Sequence, residues 1–352
     1  MMIAFLLYKF LLCVIVFGIS LGVAAYSTLW ERKFSALLQD RVGPNRAGPF
    51  GLLQPLADGG KMFFKEEIIP NVSNRFLFIL GPSVFMLTAL MTGSVIPWGA
   101  DFVYNGQTYT SQITDINIGV LYVLGVVSVG VYGVMIGGWA SNNKYALLGA
   151  IRASSQMISY EIAMGISVIA LVITSGGTLS LREIVMQQDA GFANIVWQPL
   201  GFLVFFVCAL AETNRAPFDL PECESELVGG FHTEYSSMKL GLFLFAEYIN
   251  MFISSAIMAA FYFGGYNFPF ASELYNALGL EAGSIWITLI GFGAFFTKIV
   301  IFICVFMWIR WTLPRFRYDQ LMNLGWKILI PLSLLNLGIT VVVEYFRGNI
   351  QF

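Results

Sequence analysis

The sequence predicts an all-α membrane protein: eight transmembrane helices, an interfacial amphipathic helix in the first connection, and both termini on the outer side of the membrane. Three observations carry that prediction. Hydrophobic residues make up 57% of the chain and charged residues only 11%, against roughly 25% charged in an ordinary soluble domain. The apolar residues form long continuous runs rather than the alternating ten-residue segments of a membrane barrel. The basic residues fall almost entirely in alternate connections.

A bilayer core about 30 Å thick takes roughly 20 helical residues to cross. Runs of that kind lie near 2–30, 76–96, 118–138, 155–174, 193–211, 240–263, 285–309 and 326–346. In the first, Lys9 precedes an apolar stretch as in a secretory signal, but the run is long and its main positive cluster, Arg32 and Lys33, follows it. A retained span with its N-terminus outside is expected. Connections one, three, five and seven carry 7, 2, 2 and 4 Lys and Arg, while the even connections and both ends hold only Lys9, Arg182 and Arg347. The positive-inside rule places the odd connections on the cytoplasmic or matrix side. One polytopic membrane domain over 1–352 is therefore expected, with inner segments at 31–75, 212–239 and 310–327 and no internal repeat.

Composition also excludes function classes. Net charge is −2 and the basic residues sit in short loops without aromatic interleaving, so no nucleic acid partner is expected. Cys13, Cys208, Cys223 and Cys304 lie too far apart to suggest a disulfide framework, zinc site or iron–sulfur motif. His232 is the single histidine, so the chain supplies no pair of axial histidines for a haem, and it has no Gly-rich phosphate loop. No cofactor is expected to be bound by this chain alone.

The acidic residues are placed one-sidedly. Glu161 and Glu247 lie about six residues, roughly 9 Å, from the inner ends of their helices, and Glu31 and Glu212 mark the inner ends of two others. A single buried Glu serves packing as readily as transport; several at one side of the membrane point to a polar pathway. Burial in a low dielectric favours a protonated carboxyl group in general, the property a relay requires. The outer halves of these four helices have no acidic residue, and Lys298 is the only charge near the midplane, read as a bridge between the halves, a snorkelling side chain or a partner of a Glu. A half-channel from the inner side, continued by a partner chain or ending at a chemical site, is the expectation.

The fifth connection, AETNRAPFDLPECESELVGGFHTEYSSMK (211–239), concentrates Glu212, Asp219, Glu222, Glu224, Glu226 and Glu234. Asp219 and Glu222 around Pro221 have the pattern of a helix start. Glu226 stacks on Glu222 at i,i+4, where like charges repel, so Glu224 and Glu226 need another explanation. No metal site is expected, for want of a defined coordination loop. In the first connection, Leu52, Leu53, Leu56, Phe63 and Phe64 recur at helical spacing, as in a helix lying along the membrane surface. Such a helix would wall a portal for a lipid-soluble molecule, with Phe63 on its apolar side and polar contacts from Arg32, Arg41 or Arg46.

GLLQPLADGGKMFFKEE, the fifth connection and WIRWTLPRFRYDQLMNLGWK (308–327) together resemble one family: the quinone-chamber membrane subunits of respiratory NADH:quinone oxidoreductase (complex I), present in bacteria and mitochondria. The resemblance runs from about residue 20 to 346. It implies a chamber for ubiquinone or menaquinone, formed with peripheral iron–sulfur and quinone-site subunits, in the bacterial cytoplasmic (inner) membrane or the mitochondrial inner membrane. Helix one, helix six and the amphipathic helix would frame its entrance, with Arg32 and Arg41 near the quinone path. Glu161, Glu212, Glu224, Glu226 and Glu247 would join that chamber to antiporter-like and small membrane subunits, with Arg215 and Asp219 as fixed polar residues of the loop; Glu31, from its place at the inner end of helix one, is expected in the same proton relay. FMN, NADH and the iron–sulfur clusters would belong to partner subunits. The rival readings are the homologous subunit of a membrane-bound hydrogenase, an autonomous ion transporter and a structural anchor.

Overall fold

A computed structural model describes residues 2–104, 106–188, 192–219, 228–269, 271–281 and 283–348. Its principal helices are α1 (Met2–Leu38), α2 (Gln54–Phe64), α3 (Arg75–Thr92), α4 (Gly119–Ala140), α5 (Lys144–Thr174), α6 (Leu181–Gln187), α7 (Asn194–Trp197), α8 (Pro199–Glu212), α9 (Ser237–Tyr262), α10 (Ala271–Ala277), α11 (Ile285–Thr312), α12 (Tyr318–Asn323) and α13 (Ile330–Phe346). Among the described residues, seven helical stretches are long and apolar enough to cross a membrane: α1, α3, α4, α5, α9, α11 and the run from α12 through α13. The fifth expected span is instead the 14-residue α8, about 21 Å long at 1.5 Å per residue, shorter than the hydrocarbon core. It starts late because Pro199 follows Gln198, whose backbone is not helical; the Gln198 side chain donates to Thr174 Oγ1 (2.8 Å) and Thr340 Oγ1 (2.7 Å) and accepts from Asn336 (2.9 Å). These bonds satisfy polar groups that lipid cannot.

The all-α expectation also misses a small antiparallel hairpin, β1 (Phe102–Tyr104) with β2 (Gln107–Tyr109), in register Phe102 to Tyr109. Between α12 and α13 the chain makes a π-helical turn, Leu324–Leu329. Pro331 follows and has no N–H to give the Lys327 carbonyl, which favours such a widened turn.

Helix α9 is the centre of the bundle: 67% of its most apolar stretch is buried, against 11% for α1. Its C-terminal carbonyls would be orphaned in an apolar interior. Gln188 donates to Ala260 O (3.0 Å), Asn194 to Phe261 O (2.9 Å), and Lys298 to the carbonyls of Phe263 (2.7 Å) and Gly265 (2.8 Å) and to that of Asn267. Lys298 therefore binds backbone carbonyls at the end of α9 rather than a Glu.

Helices α3 and α4 cross where glycines let the backbones meet. A Cβ on Gly133 would stand 2.8 Å from Phe85 N and 2.9 Å from Gly81 O, too close for any rotamer change to relieve. Gly133→Leu is expected to force the pair apart and cost about 1–3 kcal/mol, read as a lowered thermal midpoint in detergent; an unchanged midpoint would show that the crossing is slack.

Candidate functional site

Glu31, in the last third of α1, is 4% exposed. Two arginines from distant segments close on it: Arg215 Nη1 donates to its Oε2 at 2.7 Å, and Arg310 Nη1 to its Oε1. The Tyr248 hydroxyl of α9 donates to the same Oε2 at 2.9 Å, and the Arg215 guanidinium lies over the Tyr248 ring, 3.8 Å from its centroid. Burial opposes the Arg215 charge, but Tyr248, Glu31 and Glu247 outweigh it and raise its pKa above the ordinary arginine value.

The segment bearing Arg215 is fastened on several sides. Gln156 of α5 donates to Ala211 O (2.8 Å) and Phe218 O (2.9 Å). Phe316 N donates to Pro217 O (3.2 Å), and Arg315 Nη2 to Asp219 Oδ2 (2.7 Å). The basic seventh connection, 310–327, thus supplies ion-pair partners to both Glu31 and Asp219. Glu222, Glu224, Glu226, Pro221 and Cys223 lie outside the described residues, and with them the expected helix start.

Beside this cluster, α1, α2 and α9 enclose a pocket of about 180 Å³, lined by Thr28, Arg32, Asp58, Gly59, Met62 and Tyr248 among others. Arg32 pairs with Asp58 at 2.7 Å across its rim. Helix α2 is held there because Ser237 Oγ donates to Met62 O (2.9 Å) and Lys239 pairs with Glu67. The helix turns Asp58, Gly59 and Met62 toward the pocket, while Leu56 and Phe63 on its other side are 68% and 70% exposed. Of the expected portal residues, Arg32 lines the pocket; Arg41 and Arg46 stand exposed outside it, as does Phe63.

The deeper carboxylates form a second group. Glu161 of α5 is half-buried and accepts from the Ser128 hydroxyl of α4; Glu212, at the end of α8, is near enough for their charges to interact. Glu212 also lines a narrow cavity of about 20 Å³ with Thr92, Asn250 and Ser254, room for about one water molecule. Glu247 is 5% exposed. It precedes Asn250 and Ser254 by three and seven residues on α9, so the three share a helix face. Tyr248, next in sequence, opens onto the pocket instead.

Tyr248, Arg310, Asp58, Asn250 and Ser254 were not singled out from sequence. Tyr248 had a signal, as a hydroxylated aromatic beside the buried Glu247; the others read as an ordinary positive-inside charge, a loop acid and common polar residues of a span. Among the described residues, no group of three or more His, Cys, Asp and Glu could hold a metal.

A profile of the NADH dehydrogenase family matches residues 10–341. The chain is similar to an H-type NADH-quinone oxidoreductase subunit of Cytophaga hutchinsonii, 68% identical over 336 residues that cover 96% of each chain. It is similar to the H-type NADH-quinone oxidoreductase subunit of Flavobacterium johnsoniae, 58% identical over 340 residues, 97% of this chain and 96% of that one. It is likewise similar to the eighth-numbered NADH-quinone oxidoreductase subunit of Rhodothermus marinus, 48% identical over 310 residues, 87% of this chain and 88% of the relative.

Proposed function

The chain belongs to the NADH dehydrogenase family, and from that membership we propose that it is a membrane subunit of NADH-quinone oxidoreductase, a multi-pass protein of the bacterial inner membrane that shapes the quinone path and passes charge from it into the membrane. Electrons from NADH reach quinone through FMN and iron–sulfur clusters on peripheral partner subunits. Antiporter-like and small membrane subunits continue the proton path. In this reading the chain crosses the bilayer eight times, α8 with α7 forming the short fifth crossing, both ends lie outside, and the Glu31–Arg215 end faces the cytoplasm.

The observation that carries the reading is the double role of Tyr248: it lines the pocket between α1, α2 and α9, and its hydroxyl and ring hold Glu31 and Arg215. A mostly apolar pocket with Arg32 and Asp58 at the rim suits a molecule with an apolar tail and a polar head. Quinone, as substrate, passes the pocket toward the arginine cluster, where a change in its charge is felt by buried groups in a low dielectric. Glu247 carries that change along one face of α9 to Asn250, Ser254 and the cavity at Glu212, and Glu161 with Ser128 extends it laterally. Glu224 and Glu226 belong to the same proposed relay. Glu31, held between two arginines, keeps the entrance in register.

The test is to fill the pocket. Nothing lies within 4 Å of a Cβ built on Gly59, so Gly59→Trp projects into open space. The assembled complex is expected to lose about tenfold in NADH:quinone reduction, a barrier increase of about 1.4 kcal/mol, and to oxidise NADH normally with a hydrophilic acceptor. Wild-type quinone reduction in that variant would sink the proposed path.

A further inference from the structure

A second, larger cavity lies at the opposite end of α1 from Glu31. It measures about 280 Å³ and is lined by Tyr8, Leu12, Ile15, Phe102, Leu289 and Phe292, with buried Trp98 at its back. The β1–β2 hairpin roofs it: Val103 N donates to Gly283 O (2.8 Å), tying the hairpin to the start of α11. The Tyr8 hydroxyl donates to Thr110 O (3.0 Å), and the Tyr8, Phe102 and Tyr109 rings pack together at centroid distances of 5.0–5.9 Å. The Lys9 ammonium is bonded to oxygens of Thr110 (2.8 Å) and Gln112 at the mouth, with the carboxylates of Asp101 and Asp115, both paired with Arg182, near enough to act on its charge.

We propose that this groove binds one acyl chain of a phospholipid from the leaflet at the hairpin end, with the lipid phosphate beside Lys9. Two features support that occupant. From Tyr8 to Ile19 the groove follows α1 for roughly 16 Å, the depth of one leaflet's hydrocarbon, about 15 Å. Its mouth has Tyr8 beside Lys9, residue types that settle at headgroup level, and Lys9, with Arg182 close by on Asp101 and Asp115, offers cations to a phosphate. The groove shares no lining residue with the pocket at Tyr248, so the lipid is distinct from the substrate.

The experiment labels membranes containing the whole complex with a phosphatidylethanolamine carrying a mid-chain diazirine, then maps adducts by mass spectrometry. Adducts on peptides holding residues 12–19 and 285–292 are expected to exceed those on the lipid-facing side of α13, where Leu335 is 56% exposed. Ile15→Trp and Leu289→Trp replace side chains that are 46% and 52% exposed; each is expected to cut groove labelling about fivefold by overpacking the groove while NADH:quinone reduction stays at wild type. Equal labelling of groove and α13, or undiminished labelling in both variants, overturns the proposal. So does preferential labelling of these peptides by a photoactivatable quinone, which would assign the groove to the substrate. The map from the unsubstituted complex decides the matter even if a variant fails to assemble.

Discussion

Arg215→Met is expected to abolish most of the assembled complex. Arg215 and Glu31 are 7% and 4% exposed, and removing one partner of a buried pair leaves the other charge uncompensated, at about 3–5 kcal/mol. Arg310, with 28% of its side chain exposed, still reaches Glu31, so the lower part of that range applies. The same substitution strips Tyr248 of the cation over its ring. Arg215→Lys keeps the charge but loses the planar fork, and an intermediate level is expected. Glu31→Gln added to Arg215→Met removes the stranded carboxylate and is expected to restore part of the loss. Native gels and thermal stability of the purified complex measure all three; wild-type abundance for Arg215→Met would mean that the cluster does not hold the C-terminal end of α1 and the N-terminal half of α9 together.

Glu247→Gln is expected to act differently, because it preserves volume and removes only titration. The complex should assemble and oxidise NADH with a hydrophilic acceptor at the wild-type rate. NADH:quinone reduction and proton uptake should fall together by about tenfold or more, at least 1.4 kcal/mol in the barrier. The expectation rests on position: Glu247 is buried between Arg215, whose charge it stabilises, and the face of Asn250 and Ser254 that leads to Glu212. If quinone reduction and pumping both remain at wild type, Glu247 is a packing residue and the relay must run through the fifth connection.

Much of the protein was legible before any coordinates. Long apolar runs and few charges forced a helical membrane protein, because lipid offers backbone groups no other partner. Glu31, Glu161, Glu212 and Glu247 stood out because a charge in an apolar run is costly wherever the chain folds. The amphipathic pattern at 52–64 gave α2 correctly. Less was legible where local pattern and tertiary demand diverge. The fifth run looked like a full span, but the break at Gln198–Pro199 shortens it to α8, and only the bundle supplies Thr174, Asn336 and Thr340 to satisfy Gln198. The helical spacing of α2 gave its face, while the placing of Phe63 outside the pocket and of Asp58 within it depends on where α1 and α9 stand.

By itself the sequence determined the solvent of this protein, the helical class and the cost of burying Glu31 and Glu247, though not that Glu344 is 2% exposed as well, since each follows from transfer free energies that act residue by residue. Only the tertiary structure decided which charges meet. Arg215 and Arg310 lie 184 and 279 residues from Glu31, and no local preference encodes a contact across that separation. Pairing is set by which helix ends the packed bundle brings to one place, and there the cost of leaving a buried charge alone selects its partner.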